Sequence, residues 1–154
     1  MRNLVRVLVC ALLLSFGVAV GSSAAQATEI GYAGCTPGYW KNHTDSWPPT
    51  GYSPSQKVQS VFQRAAGYPA LGGSALLQAL SFQGGSTLDG AAGNLLRAAV
   101  AGLLDAAHPN VSYPRDPAQL IQDVDAALAS NDRDTMLTLA SAIDHDNNLG
   151  CPLN

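Results

Sequence analysis

The sequence predicts an all-α fold, a bundle of about five helices with an irregular aromatic N-terminal arm stapled to the C-terminus by one disulfide. Three observations predict it. Apolar residues recur at helical spacing over most of the chain after residue 52, and no segment alternates convincingly between apolar and polar residues as a half-buried strand does. Prolines and glycines interrupt the preceding aromatic stretch, CTPGYWKNHTDSWPPTGY. Two cysteines, Cys35 and Cys151, flank the whole helical region.

The N-terminus has the features of a secretory signal peptide, residues 1–27. Two arginines precede an apolar run, and a small-residue segment with an Ala-x-Ala cleavage signal ends at Ala27. The apolar run is shorter than the roughly 20 residues that a membrane-spanning helix needs. We therefore expect a secreted, extracellular protein with no membrane span after cleavage. Its arm, residues 28–52, and its helical bundle, residues 53–154, form one domain.

The charge balance argues against nucleic acid as a partner. The chain contains 8 Lys and Arg residues against 11 Asp and Glu residues, a net charge of −3 with His neutral. Removal of the leader takes away Arg2 and Arg6, so the mature chain is more acidic still. Such a chain offers no basic stripe for a phosphate backbone.

Cysteine usage predicts one disulfide. Cys10 lies in the leader, which leaves Cys35 and Cys151 in the mature chain, with one possible intramolecular pairing in an oxidising compartment. In the chain-entropy account, closing so long a loop raises the free energy of unfolding by about 4 to 5 kcal/mol. The rival interpretation, two free thiols that hold a metal, needs more soft ligands nearby than the sequence shows.

The first two predicted helices follow the arm. Ser53 is the predicted N-cap of the first, with Pro54 at the first helical position and Gln56 in a capping box. Gly67 ends this helix. Its apolar residues at i, i+3, i+4 and i+7 predict one buried face: Val58, Val61, Phe62 and Ala65. A shorter second helix lies between two glycine pairs in GGSALLQALSFQGG.

The third predicted helix runs from about Leu88 to Ala107. Ser86 or Thr87 caps it, and Pro109 ends it. It is apolar around most of its circumference, which is typical of a helix at the centre of a bundle.

The last two predicted helices form a hairpin. Asp116 and Pro117 open the fourth helix, and a turn at Ser130 and Asn131 leads into the fifth, where Asp132 lies in the first turn. A connection this short forces the two helices to run antiparallel.

The aromatic residues of the arm have two interpretations. They form a binding face that stacks on sugar rings or on a partner, or they are buried anchors that pin the arm over the bundle. Because Trp40 lies five residues from Cys35, we interpret it as an anchor, while Trp47 stays open as a binding residue. Lys41 and His43 are the other binding candidates in the arm.

The third helix carries one line of polar residues, which we call the polar stripe: Asn94, Arg97, Asp105 and His108. If the stripe is buried, its charged groups need hydrogen-bonding partners, and Lys41 and His43 of the arm are plausible ones. We therefore predict a docking network that joins the arm to the central helix. If the stripe faces water, nothing follows from it. Three members of the stripe are binding candidates: Arg97, Asp105 and His108.

Two sets of residues have metal-ligand chemistry. The first alternates like the opening ligands of a calcium loop but lacks the glycine and the late glutamate of such a loop: Asp144, Asp146 and Asn148. The second suits zinc but lacks close spacing: His43, Asp105 and His108. We favour a solvated helix end over calcium and a docking network over zinc, so no cofactor is expected.

Several segments resemble a group of uncharacterised secreted prokaryotic proteins: GCTPGYWKNH, LLRAAVAGLLDAAHP and DRDTMLTLASAIDHDNNLGCPL. These proteins carry a Cys-Thr-Pro-Gly-aromatic-Trp-Lys segment, sometimes as a module within larger surface proteins. The resemblance covers nearly all of the mature chain. It implies export, surface or matrix residence and a single module from Cys35 to Cys151, and it transfers no functional residue.

The sequence thus predicts a secreted, non-enzymatic helical module with an extracellular interaction or envelope-matrix role, whose partners are surface or matrix proteins or glycans. The chain lacks the G-x-S-x-G, H-E-x-x-H and phosphate-cradling glycine motifs of common enzyme classes. The alternative is a metal-binding protein or metal-dependent enzyme that uses one of the two residue sets above.

Overall fold

The computed structural model describes residues 31–154, and the predicted signal peptide, residues 1–27, lies outside the described residues. Six α-helices follow one another in the described range: α1 (Pro37–Asn42), α2 (Pro69–Gly72), α3 (Leu76–Ala79), α4 (Leu88–Ala107), α5 (Pro117–Ala129) and α6 (Arg133–Asn147). Short 3-10 helices lie between α1 and α2: Thr44–Ser46, Pro48–Thr50, Val58–Ser60 and Gln63–Gly67. The predicted all-α fold is confirmed.

α4 lies at the centre of the bundle, as predicted. Thr87 caps its N-terminus by accepting a hydrogen bond from the Gly90 amide at 3.1 Å, and the helix ends at Ala107, just before Pro109. Most of its residues are buried, and it packs against α1, α3, α5 and α6. Among the described residues, neither α4 nor any other helix is long and apolar enough to cross a membrane.

The starts of α5 and α6 also agree with the sequence. Asp116 caps α5 by accepting hydrogen bonds from the Ala118 and Gln119 amides. Asp132, predicted in the first turn of α6, is its N-cap and accepts a hydrogen bond from the Thr135 amide. Residues 130–132 connect the two helices, with Asn131 in the left-handed region at φ 50°. So short a connection folds α6 back along α5.

Two side-chain contacts show how α6 lies on α4. Arg133, at the start of α6, donates a hydrogen bond to the Gly85 carbonyl oxygen at 3.2 Å, just before α4 begins. Asn147, at the end of α6, donates to the Ala98 carbonyl oxygen at 3.0 Å. The two helices therefore run side by side in the same direction.

The prediction of an α-helix over residues 53–67 is wrong. The segment consists of turns and two short 3-10 helices, although the predicted apolar face is buried. Its backbone groups bind a neighbouring segment: the Val58 amide donates to the Ser74 carbonyl oxygen at 3.0 Å, and the Leu76 amide donates to the Gln56 carbonyl oxygen at 2.8 Å. These contacts replace the i to i−4 bonds that an α-helix needs.

The arm is more regular than predicted. Pro37 opens α1, and the Thr36 side chain caps it by accepting a hydrogen bond from the Tyr39 amide at 3.2 Å. The chain then continues as two 3-10 helices, the second of which ends at Gly51 with φ 77°, a left-handed conformation that favours glycine.

The predicted disulfide is confirmed. Cys35 and Cys151 are bonded across a sequence separation of 116 residues, with their Cα atoms 4.4 Å apart. Beside them the Gly34 amide donates to the Gly150 carbonyl oxygen at 3.1 Å, in an isolated antiparallel bridge. The disulfide and a backbone hydrogen bond therefore join the arm to the C-terminal segment at the same place.

Gly102 of α4 gives a test of this packing. A Cβ atom there would lie 2.7 Å from the Tyr113 hydroxyl oxygen and 3.0 Å from Cγ2 of Ile143. Overpacking costs about 1–3 kcal/mol and exceeds the gain of about 1 kcal/mol in helix propensity. We expect Gly102→Ala to lower the free energy of unfolding by up to about 2 kcal/mol in urea denaturation. Gly67→Ala is the control, since nothing lies within 4 Å of its Cβ position; equal stability of the two variants would contradict the packing.

Candidate functional site

The carboxylate of Asp105 lies at the centre of the arm–helix contact. Asp105 is near the C-terminal end of α4 and is completely buried. Its Oδ1 accepts hydrogen bonds from the Cys35 amide at 2.9 Å and from the Trp40 indole Nε1 at 3.0 Å. The predicted docking network between arm and central helix therefore exists at this carboxylate.

The partners of Asp105 differ from those suggested by the sequence. Lys41 and His43 are exposed. The His43 ring stacks on Tyr39, with ring centroids 4.2 Å apart, and its Nδ1 forms a hydrogen bond with the Tyr39 carbonyl oxygen at 2.9 Å. The suggestion that Lys41 and His43 pair with Asp105 is wrong, because a backbone amide and an indole N–H take that position.

Both tryptophans of the arm are buried. Trp40 packs with its ring centroid 5.9 Å from that of His108, which agrees with its interpretation as an anchor. Trp47 is 1% exposed and donates from its indole Nε1 to the Trp40 carbonyl oxygen at 3.0 Å. Because its ring is covered, Trp47 is a second anchor and presents no stacking face to a ligand.

The electrostatics of this network follow from burial. Burial raises the pKa of Asp105 to about 8, even though the hydrogen bonds from Cys35 and Trp40 act to lower it. Burial lowers the pKa of His108, which favours the neutral imidazole. The His108 Nδ1 accepts a hydrogen bond from the Asn110 amide at 3.2 Å, a role that requires this nitrogen to be unprotonated.

A second buried polar cluster lies where α6 meets α4. Asn147 is completely buried, and its Oδ1 accepts a hydrogen bond from the Tyr113 hydroxyl at 2.7 Å. Burial, Asp105 and Asp146 raise the pKa of Tyr113, so the phenol stays a donor. Sequence reasoning missed this role of Asn147. Its helical spacing could have predicted its burial, because it continues the buried face of α6. That face consists of Met136, Ala140, Ile143 and Asn147.

The polar stripe divides into two halves. Asp105 and His108 lie under the arm, while Asn94 and Arg97 are half-buried and line a groove between α4 and α6 of about 130 Å³. Asp144, which the sequence places in a separate candidate site, lines the same groove.

The acidic C-terminal residues do not converge. Asp144 is exposed, Asp146 forms an ion pair with Arg115 at 2.6 Å, and the Asn148 amide group donates to the Asp144 backbone carbonyl oxygen at 2.7 Å. Across residues 31–154, no three His, Cys, Asp or Glu side chains are grouped so as to hold a metal ion. The described structure therefore assembles neither metal-ligand set suggested by the sequence.

A polar cleft of about 450 Å³ lies beside the disulfide. Its lining includes Thr36, Tyr39, Asn42, Asn148 and Cys151. Cys35 is buried, whereas Cys151 is partly exposed.

Comparisons with protein-family models, with curated proteins and with solved structures found no match to this chain. The resemblance to secreted prokaryotic proteins therefore stays a prediction. Function is inferred below from the contacts of residues 31–154 and from the features of the sequence.

The buried carboxyl gives a pH-dependent prediction. Between about pH 4, where Asp titrates in an unfolded chain, and pH 8, folded Asp105 keeps a proton that the unfolded chain releases. Its contribution to stability is therefore complete below about pH 4 and is lost as the pH rises to about 8, with a slope of up to about 1.4 kcal/mol per pH unit. Asp105→Asn keeps an acceptor oxygen but has no such proton.

We expect the stability difference, wild type minus Asp105→Asn, to fall as the pH rises through this range in urea denaturation. The lowered pKa of His108 contributes to both proteins and largely cancels in the difference. Exposed Asp45→Asn is the control and shows no such trend. A difference that stays level, or grows with pH, is incompatible with a protonated Asp105.

Proposed function

We propose that this chain is an exported, non-enzymatic helical module that acts in extracellular interactions or in an envelope matrix. The observation that carries the proposal is the disulfide between Cys35 and Cys151. Structural disulfides persist in oxidising compartments and are rare in the cytosol. The signal-peptide features of residues 1–27 support the same location.

The position of the disulfide supports a modular role. It joins the start of the arm to the segment after α6, and the Gly34–Gly150 bridge lies next to it. The first and last segments of the folded unit, at Cys35 and Cys151, therefore lie side by side. Domains with adjacent ends are readily carried within longer chains or tethered at a surface.

The assignment as non-enzymatic is supported by how the candidate groups are used. Asp105, His108 and Trp47 all lie in the buried contact between arm and bundle, where they form hydrogen bonds with neighbouring residues of the same chain. His43 is exposed and stacks on Tyr39. These contacts give each group a structural role that needs no substrate.

The location is tested by fractionating the source cells and measuring the intact mass of the protein before and after reduction. We expect the chain outside the cytoplasm, without residues 1–27, and heavier by two hydrogen atoms after reduction. A Cys35→Ala/Cys151→Ala double variant should lose about 4–5 kcal/mol of stability and accumulate less outside the cell. A full-length, reduced chain in the cytoplasm would contradict export.

The interaction role is tested by adding the purified oxidised protein to intact source cells that lack it. We expect saturable retention at the cell surface, with less retention after reduction. Substrate turnover by the purified protein that disappears in a correctly folded His43→Ala variant would contradict the non-enzymatic assignment.

A further inference from the structure

A small groove between α4 and α6 combines groups from two parts of the sequence. Asn94 and Arg97 are three residues apart on α4 and share one face of that helix. Ser141 and Asp144 have the same spacing on α6. Because α4 and α6 run side by side in the same direction, the two polar pairs face a common space of about 130 Å³.

The lining of this groove combines apolar and polar side chains. Ala98 and Ala140 are buried, and Leu137 is half-buried. Arg97 supplies hydrogen-bond donors and a positive charge on one helix, and Asp144 supplies a negative charge on the other. The groove therefore carries one charge of each sign and some apolar lining.

The two charges are not used by ion pairs within the described chain. Across residues 31–154 there are two ion pairs, Arg115 with Asp146 and Arg133 with Asp134. Neither includes Arg97 or Asp144. A half-buried guanidinium without a carboxylate partner favours an added anion, because charge-assisted and bidentate contacts to a carboxylate are strong.

The volume limits the size of a ligand. At roughly 30 Å³ per molecule of liquid water, the groove corresponds to about four waters. Pockets for drug-sized ligands measure roughly 300–1,000 Å³. The groove therefore suits a molecule of the size of glycine or alanine.

We propose that this groove binds a small zwitterion of the amino-acid type. Its carboxylate contacts the Arg97 guanidinium, with Asn94 and Ser141 as further donors, and its ammonium group contacts Asp144. Its small apolar part lies against Ala98 and Ala140. This inference goes beyond the proposed function, since the site is complete in the folded chain wherever the protein acts.

The site is separate from the arm network. Arg97 and Asp105 are eight residues apart on α4, which corresponds to about 12 Å along the helix axis. Substitutions in the groove therefore leave the contacts of Asp105 with Cys35 and Trp40 in place.

The test is an NMR titration of the oxidised chain with glycine and with L-alanine, followed through backbone amide shifts. We expect saturable shifts concentrated at Arg97, Ala98, Ser141 and Asp144. Acetate and methylammonium, which each carry one of the two charges, should bind about tenfold or more weakly than glycine, because each lacks one charged hydrogen bond.

Two substitutions, each with a matched control, assign the contacts. Arg97→Gln and Asp144→Asn should each weaken glycine binding about tenfold or more. The controls remove the same charges at exposed positions of the arm, Lys41→Gln and Asp45→Asn, and should bind as the wild type does. Asp144 is itself exposed, so Asp144→Asn tests the site even if Arg97→Gln does not fold.

Three results overturn the proposal. The first is the absence of saturable shifts at the groove with both amino acids. The second is equal shifts with sodium chloride or acetate, which would show a response to ions alone. The third is unchanged glycine binding in Asp144→Asn.

Discussion

Oδ1 of Asp105 accepts two hydrogen bonds in the interior of the bundle, from the Cys35 amide and from the Trp40 indole. An unpaired, ionised carboxylate in such a place costs several kcal/mol. Asp105 avoids this cost because its raised pKa favours the neutral carboxyl group and because two donors bind its Oδ1. Both donors come from the arm. The burial of this carboxylate and the position of the arm on α4 therefore depend on each other.

The remaining contacts of the arm extend from this point. Cys35, whose amide binds Asp105, is also half of the disulfide, so the covalent and noncovalent constraints act on the same residue. Trp40 in turn accepts the Trp47 indole N–H at its carbonyl oxygen, which places the second anchor. The C-terminal half of the polar stripe thus contacts the arm. Its N-terminal half, which includes Arg97, lines the groove between α4 and α6.

The parts of the fold that the sequence predicted correctly are those with local causes. Thr87, Asp116 and Asp132 mark the starts of α4, α5 and α6 because capping needs only the next few amides. The segment 53–67 has equally good local signals but forms backbone hydrogen bonds with residues 74–76 instead. Nonlocal pairing of this kind leaves no trace in periodicity.

The site was partly predictable for the same reason. Helical spacing aligned Asp105 with the rest of the polar stripe, and a network was expected if that stripe was buried. The sequence suggested the charged residues Lys41 and His43 as partners of Asp105. The actual donors are the Cys35 amide and the indole of Trp40, a residue that was predicted to pack rather than to form a polar contact. Hydrogen exchange at these two N–H groups, followed by NMR in the full oxidised chain, tests the central claim most directly. We predict that both exchange as slowly as the core amides of α4, since the arm and the bundle unfold together. Fast exchange at Cys35 and Trp40 while α4 stays protected would contradict this account.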